Sequence, residues 1–166
     1  MLVNNAGFSV FGAFECASES DVQRQLNTNL LGVMNVTRAV LPHFRQRKAG
    51  RIISVTSVGG LVAFPLFTLY HASKWAVEGF MESLHYELKP FNIQVKIIEL
   101  GAVNTHLTEN TVVSKSNTIA DYDQFVDVAF PVPGAIIIFS GLNHAIFRGG
   151  CHQTACFAVF SACAIR

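Results

Sequence analysis

The sequence predicts an α/β fold built on a doubly wound parallel sheet. Short apolar runs rich in Val and Ile alternate with longer segments of helical periodicity over residues 1–100. The runs are apolar throughout and do not alternate with polar residues, which is typical of strands that are buried on both faces. The order strand, helix, strand, helix, strand therefore indicates parallel βαβ units.

The first half of the chain contains a short strand and a long helix. Residues 1–3 form an apolar run that enters the turn Asn-Asn-Ala-Gly, a pattern typical of a buried strand that ends in a turn. The side chains of Ser18, Ser20 and Asp21 can each cap the N-terminus of a helix, because their oxygens can accept a hydrogen bond from a backbone N–H of the first turn. Apolar residues then recur at intervals of three and four, and basic residues precede Gly50. This pattern predicts a helix over residues 18–47.

The following segment contains two further strands separated by a second helix. Residues 51–56 are a β-branched run followed by small residues, which predicts a strand that ends in a loop. Residues 68–88 predict a helix that ends before Pro90, because proline cannot continue it. Residues 94–100 predict a third buried strand, which Gly101 ends.

The C-terminal part of the chain differs in composition from the rest. Residues 108–127 are mixed and predict a loop with a short helix, whereas residues 128–147 carry no charge. The uncharged segment has two interpretations, a membrane span or a buried strand near residues 135–139, and the prolines within it favour the strand. We therefore divide the chain into a domain over residues 1–127 and an atypical apolar tail over residues 128–166, whose cysteines are Cys151, Cys156 and Cys163.

The overall composition excludes several classes of function. The chain has 166 residues, of which 51% are hydrophobic and 14% charged, with a formal net charge of +1. The Lys and Arg residues are scattered, so no nucleic acid partner is expected. The N-terminus lacks a charged segment followed by an apolar core and a cleavage site, so we expect a cytoplasmic location and no membrane partner.

Two groups of residues outside the motifs described below have alternative interpretations. Phe8, Phe11 and Phe14 can border a lipophilic substrate pocket, although core packing is the more frequent role of such residues. The cysteines and histidines lack the paired spacing of metal ligands, so no metal site is predicted. We expect a position at the surface or at the edge of the core for each of five histidines: His71, His85, His106, His144 and His152.

Four short motifs occur in one order along the predicted elements. They are NNAG at Asn4–Gly7, NxxG at Asn29–Gly32, a serine at the end of a strand, and YxxxK at Tyr70–Lys74. Each is weak alone, but the order, the places on the elements and the separation of Ser57 from Tyr70 agree. Together they resemble the short-chain dehydrogenase/reductase family, over residues 1 to about 108.

The chemistry of alcohol oxidation explains why the last motifs matter. Removing a hydride from an alcohol carbon requires a base on the alcohol oxygen. Tyrosine is a poor base, because with a pKa of ~10 only about one phenol in a thousand is ionised at pH 7, a deficit of ~4 kcal/mol. Lys74 lies four residues after Tyr70, hence on the same helical face, and its charge can stabilise the phenolate. Ser57 can hold the substrate oxygen. Its separation from Tyr70 along the sequence favours it over Ser54 and Thr56 for this role.

The resemblance implies further roles and a nicotinamide cofactor. It implies a catalytic set of Asn29, Ser57, Tyr70 and Lys74, in which Asn29 holds a water that relays protons; the alternative for Asn29 is a solvated helix residue. It implies NAD or NADP, without deciding between them. Leu100 replaces the usual proline of the last loop. The cofactor-binding residues that the resemblance implies are Asn5, Ala6, Gly7, Asn29, Tyr70, Lys74, Gly101, Val103 and Thr105.

The resemblance also implies that the Rossmann-like sheet is incomplete. Members begin with a βαβαβ portion that carries a Gly-rich phosphate-binding turn, and we expect that portion to be absent from this sequence. Two functions follow. The first is an NAD(P)-dependent oxidoreductase acting on a secondary alcohol or ketone, with a lipophilic substrate. The alternative is an inactive fragment that retains an association surface, because in the family the helices matching residues 20–47 and 68–88 build homo-oligomer interfaces.

Overall fold

The computed structural model describes residues 1–101, 110–114, 119–125, 144–149 and 158–161, the last two ranges by their backbone alone. Its strands and helices alternate over the first hundred residues, and short strands follow. The first elements are β1 (Leu2–Asn4), β2 (Ser9–Phe11), α1 (Glu19–Leu26), α2 (Gly32–Arg47) and β3 (Gly50–Ser57). The later elements are α3 (Thr68–Leu88), β4 (Ile93–Leu100), β5 (Thr111–Val113), β6 (His144–Gly149) and β7 (Ala158–Ser161).

The main sheet confirms the predicted α/β class. Its strand order is β1-β3-β4-β6-β7, and β3 pairs in parallel with β1 and β4. The predicted strands at 51–56 and 94–100 lie within β3 and β4. β6 runs antiparallel to β4, and β7 runs antiparallel to β6, so the tail extends the sheet with reversed strands. The predicted strand at 135–139 lies outside the described residues, and the domain boundary at 127 stays a prediction.

The helix predicted over residues 18–47 is present, but it contains a π-helical turn. Ser18 caps it in a capping box with Asp21, whose N–H donates to the Ser18 hydroxyl at 3.1 Å. Between α1 and α2 the turn Asn27–Leu31 is π-helical, and the Gly32 N–H donates to the carbonyl of Asn27, five residues back. Such a turn inserts one residue into the helical repeat and is common at functional sites. The periodicity did not predict it.

The core lies between one face of the sheet and the two long helices. α2 and α3 pack against the same face, as consecutive right-handed crossovers require when the strands are added in one direction. Side chains of β3 and β4 that point to this face are buried, and those between them are mostly half-buried or exposed. Full burial of one aliphatic side chain contributes roughly 1.5–3 kcal/mol. The cluster comprises Val33, Phe44, Ile52, Val77, Met81, Leu84, Leu88, Ile93, Val95 and Ile97.

Loops that follow the carboxyl ends of β1, β3 and β4 pack together at one edge of the sheet. β2 pairs in parallel with β5, and the Gly12 N–H donates to the carbonyl of Leu66 at 2.9 Å. Ser114 donates through its hydroxyl to the carbonyl of Cys16 at 2.8 Å. Parallel strands place ligand sites at this edge. Within the described part of the chain, no helix has the length and apolarity to cross a membrane.

Candidate active site

Three predicted catalytic side chains meet at the carboxyl end of β3. Ser57 is the last residue of β3, and Tyr70 lies in the first turn of α3. The Ser57 side chain lies beside the Tyr70 phenol and acts on its pKa, and the Ser57 hydroxyl accepts a hydrogen bond from the Gly59 N–H at 3.1 Å. Lys74, one turn further along α3, places its Nζ 5.6 Å from the centre of the Tyr70 ring. The two hydroxyls and the ammonium group therefore lie within one small volume.

Burial changes the acidity of both titratable groups. Burial raises the pKa of Tyr70, and the hydrogen bond with Ser57 acts in the opposite direction but is the smaller effect. Burial also lowers the pKa of Lys74 to about 8, and the negative charge of Glu78 opposes that change. At pH 7 the phenol is therefore neutral and the lysine is mostly protonated. The net effect on Tyr70 is opposite in direction to the stabilised phenolate that the Tyr-Lys spacing led us to expect.

The two alternatives to Ser57 have other partners. Ser54 donates to the sulfur of Met81 at 3.2 Å, beneath the sheet. Thr56 donates to the carboxylate of Glu78. Because strand side chains alternate between the two faces, Ser57 points away from the face that holds Ser54 and Thr56. The structure thus brings Ser57, and neither alternative, to Tyr70.

Asn29 lies in the π-helical turn, and its side chain is buried rather than solvated. It is 2% exposed, and its amide binds both backbone groups of Phe8. The Phe8 N–H donates to Oδ1 at 3.1 Å, and Nδ2 donates to the Phe8 carbonyl at 2.9 Å. The adjacent Gly7 lies between Asn29 and the lysine, because a Cβ at Gly7 would lie 3.4 Å from Oδ1 and 3.8 Å from the Lys74 Nζ. Asn29 therefore joins the Tyr70 cluster.

Two buried polar residues of this network were missed at the sequence level. Gln25 is fully buried; its Oε1 accepts from the Val10 N–H at 2.7 Å and its Nε2 donates to the Phe8 carbonyl at 3.0 Å. Ser73 accepts from Gln25 at 3.3 Å and from Asn29 at 3.2 Å. The sequence signal that could have identified Gln25 is its spacing of four residues from Asn29 in a helical segment, which places the two amides on the same helical face.

The predicted cofactor residues are only partly described. Asn5 and Ala6 are exposed in the turn after β1, and Gly101 is half-buried after β4. Val103 and Thr105 lie outside the described residues. A cleft of about 400 Å³ opens beside the turn and is lined by Gly7, Phe8, Arg24, Thr28, Asn110, Thr111 and Val112.

The aromatic and histidine expectations have separate outcomes. Phe8 is buried in a small core cluster, as core packing predicts, whereas Phe14 is 59% exposed. The expectation of a surface or core-edge position is wrong for His71, which is 7% exposed. The ring of His71 is held by two backbone hydrogen bonds from the loop before α3, which no local pattern indicates.

The fold agrees with the comparisons to known proteins. The sequence profile of the short chain dehydrogenases matches residues 1–115, well over half of the chain. The chain therefore belongs to the short-chain dehydrogenase family, as its motifs predicted.

Curated relatives are enzymes of this family. The chain is 44% identical over 115 residues to a 3-ketodihydrosphingosine reductase of Bacteroides thetaiotaomicron. The aligned residues are 69% of this chain and 43% of that protein. It is 37% identical over 119 residues to 17-beta-hydroxysteroid dehydrogenase type 1 of Homo sapiens. Here the aligned residues are 72% of this chain and 36% of that protein. The chain thus spans less than half the length of these relatives.

Solved structures show the same fold with either nicotinamide dinucleotide. A short-chain dehydrogenase from Streptomyces avermitilis has a TM-score of 0.66 at 36% identity, over 74% of this chain and 46% of that one. A gluconate 5-dehydrogenase from Burkholderia cenocepacia, in complex with NADP and tartrate, has a TM-score of 0.63 at 29% identity, over 76% and 47%. An NAD⁺-bound xylitol dehydrogenase has a TM-score of 0.60 at 30% identity, over 63% and 40%.

Proposed function

We propose that this chain carries the proton-transfer site of an NAD(P)-dependent oxidoreductase that interconverts a secondary alcohol and a ketone. The observation that carries the proposal is the placement of the Ser57 hydroxyl beside the Tyr70 phenol, with the Lys74 ammonium 5.6 Å from the centre of the phenol ring. A substrate oxygen placed between the two hydroxyls can accept a hydrogen bond from each of them. In reduction Tyr70 donates its phenolic proton to that oxygen, and in oxidation it takes the proton back.

The acidity of the site keeps Tyr70 in the protonated form, from which it can donate a proton. Burial raises the pKa of Tyr70, so the phenol carries its proton at neutral pH and can donate it. Lys74, whose pKa is about 8, is mostly protonated at pH 7 and can stabilise the phenolate that remains after the transfer. Asn29 and Ser73 hold the π-helical turn against α3 beside these groups, which fixes the distance between the Phe8 backbone and the lysine.

The residues at the site fit a nicotinamide dinucleotide. The Lys74 ammonium donates one hydrogen bond within the described chain, to the carbonyl of Val55 at 3.2 Å, so two of its N–H groups remain to hold ribose hydroxyls. The turn at Asn5–Gly7 is open to the neighbouring cleft and has a glycine where a ligand can approach the backbone. The bound cofactor supplies or accepts the hydride, and either NAD or NADP suits these residues.

A lipophilic ketone is the substrate class that the relatives favour. Their names include a ketodihydrosphingosine reductase and a hydroxysteroid dehydrogenase. In this chain, the segment between Ser57 and Tyr70 exposes Val62, which is 48% accessible. Exposed apolar side chains next to a polar reaction centre are typical of sites for apolar ligands. The predicted cytoplasmic location is part of this proposal.

An inactive chain with an association surface is the second candidate. Trp75 and Tyr86 lie eleven residues apart, hence on one face of α3, and are 52% and 56% exposed. Large exposed aromatic side chains are enriched in protein interfaces. On this proposal the chain binds another copy or a longer relative through α3 and transfers no hydride.

Fluorescence titration of the purified chain with NADH and NADPH tests the first proposal against the second. We expect saturable binding of at least one of them, followed by turnover of a ketosteroid or ketosphingoid probe. Tyr70→Phe is the matched control, because it removes the proton donor and leaves the ring in place; it should bind cofactor and lose turnover by about 10²-fold or more. Absence of binding by a folded chain would contradict the enzyme proposal, and concentration-dependent dimerisation would then support the second candidate.

A further inference from the structure

The His71 side chain joins two points of the loop that connects Ser57 to α3. The ring is buried, and both of its nitrogens are 2.7 Å from backbone partners. The Phe64 N–H can only donate, so Nε2 of His71 accepts that hydrogen bond. The proton of the neutral ring must then reside on Nδ1, which donates to the carbonyl of Gly59. The two contacts therefore require a neutral imidazole in a single tautomer.

The loop itself, residues 58–67, has a conformation that needs external support. Leu66 has φ of +65°, a left-handed conformation that is uncommon and costly for a bulky residue. Gly59 packs so closely that a Cβ would lie 3.0 Å from the His71 ring and 3.1 Å from the Tyr70 ring. The Phe64 ring packs on His71 with 5.3 Å between ring centres. Between the two anchored residues the loop exposes Val62 and Ala63.

We infer that His71 is a positioning residue that holds the 58–67 loop so that its apolar apex forms a wall of the substrate site. The inference rests on the proposed function, because the wall has a role only if a substrate binds at Tyr70. The loop directly follows Ser57 and leads into the first turn of α3, which holds Tyr70, so any change in its path moves the surface between these two hydroxyls. His71 follows Tyr70 directly and fixes that path from the helix side.

Two substitutions separate the hydrogen bonds of His71. In His71→Gln the side-chain oxygen can take the place of Nε2 and accept from Phe64, whereas in His71→Asn the side-chain nitrogen can take the place of Nδ1 and donate to Gly59. Amide hydrogen exchange of the full 15N-labelled chain reports on the Phe64 N–H directly. We expect exchange to accelerate about tenfold in His71→Asn, which corresponds to ~1.4 kcal/mol and is the loss expected for one hydrogen bond. In His71→Gln it should stay within about threefold of wild type. The ring 15N shifts of the wild type should indicate the Nδ1–H tautomer.

Binding of estrone, used as an apolar ketone probe, tests the positioning role without turnover. We expect the dissociation constant for estrone to rise about tenfold in His71→Asn and to recover in His71→Gln, with the dissociation constant for NADPH unchanged in both. An Nε2–H ring, or equal Phe64 exchange in all three proteins, would overturn the inference even if wild type binds both ligands. Altered exchange of the Phe64 N–H with unchanged estrone affinity would show that His71 stabilises the loop without affecting the substrate site, and this result would also overturn the inference. Wild type that binds neither ligand contradicts the proposed function instead, and exchange then decides whether His71 holds the loop.

Discussion

Replacing Gln25 by leucine tests the buried amide network in the most direct way. Gln25 is fully buried, and its Oε1 accepts the Val10 N–H at 2.7 Å. Leucine has a similar volume, is one bond shorter and has no acceptor, so the substitution leaves the Val10 N–H buried without that partner. The Phe8 carbonyl loses Gln25 but keeps the amide of Asn29 at 2.9 Å, so it stays paired. The substitution therefore leaves one new unsatisfied group rather than two.

The magnitude follows from that single group. A buried donor left without an acceptor costs about 1–3 kcal/mol, so we expect the free energy of unfolding to fall by about 2 kcal/mol in Gln25→Leu. Gln23→Leu is the matched control on the same helix, since Gln23 is exposed and, among the residues that the structure describes, its side chain binds the exposed Glu19 alone, at 3.1 Å. Its effect should stay within about 0.5 kcal/mol.

Urea denaturation followed by circular dichroism measures both values at the same pH and salt concentration. The double variant with Asn29→Leu adds a second test, because Gln25 and Asn29 share the Phe8 carbonyl and the Ser73 hydroxyl. Shared partners predict a coupling of about 0.5–3 kcal/mol between the two substitutions. A loss no larger than that of Gln23→Leu, together with additive effects, would refute the network as a source of stability.

Three further predictions concern the helices and Lys74. Gly79→Ala should raise the free energy of unfolding by up to about 1 kcal/mol, because alanine favours the helix and a Cβ at Gly79 meets no atom of the described residues within 4 Å. Gly50→Ala should lower the free energy of unfolding by about 1–3 kcal/mol, because its Cβ would lie 2.6 Å from the Phe44 ring. Thermal denaturation compares the two variants. Ser18→Ala should lower the helical stability by about 1 kcal/mol in the same assay, since it removes the cap of α1. Burial lowers the pKa of Lys74 from 10.5 to about 8, so between these pH values the unfolded chain holds the proton and the folded chain does not. The free energy of unfolding of the wild type should therefore rise with pH over this window, and its slope should exceed that of Lys74→Met by up to about 1.4 kcal/mol per pH unit. Equal slopes in the two proteins would contradict the pKa shift.

The sequence alone predicted the main strands and helices and the residues of the candidate catalytic cluster. Strand composition, helical periodicity and the capping residues at 18–21 are short-range signals, and the strands and helices that they predicted over residues 1–100 are present with bounds that differ by one or two residues. The spacing of Tyr70 and Lys74 places them on one helical face, and the end of the strand places Ser57 at the correct edge of a parallel sheet. These relations hold in any fold that contains the same elements.

Only the tertiary structure decided how the cluster is supported. Gln25 and Ser73 are 48 residues apart, and the loop residues that bind His71 approach it only after the loop has folded back onto α3. The π-helical turn at Asn27–Leu31 exists where the Asn29 amide meets the backbone of Phe8, a contact that helical periodicity does not encode. Likewise, the antiparallel pairing of β6 with β4 depends on a sheet edge that forms from distant strands. Periodicity and capping act over a few residues, whereas buried polar groups choose partners by proximity in space, and proximity is known only once the chain has packed.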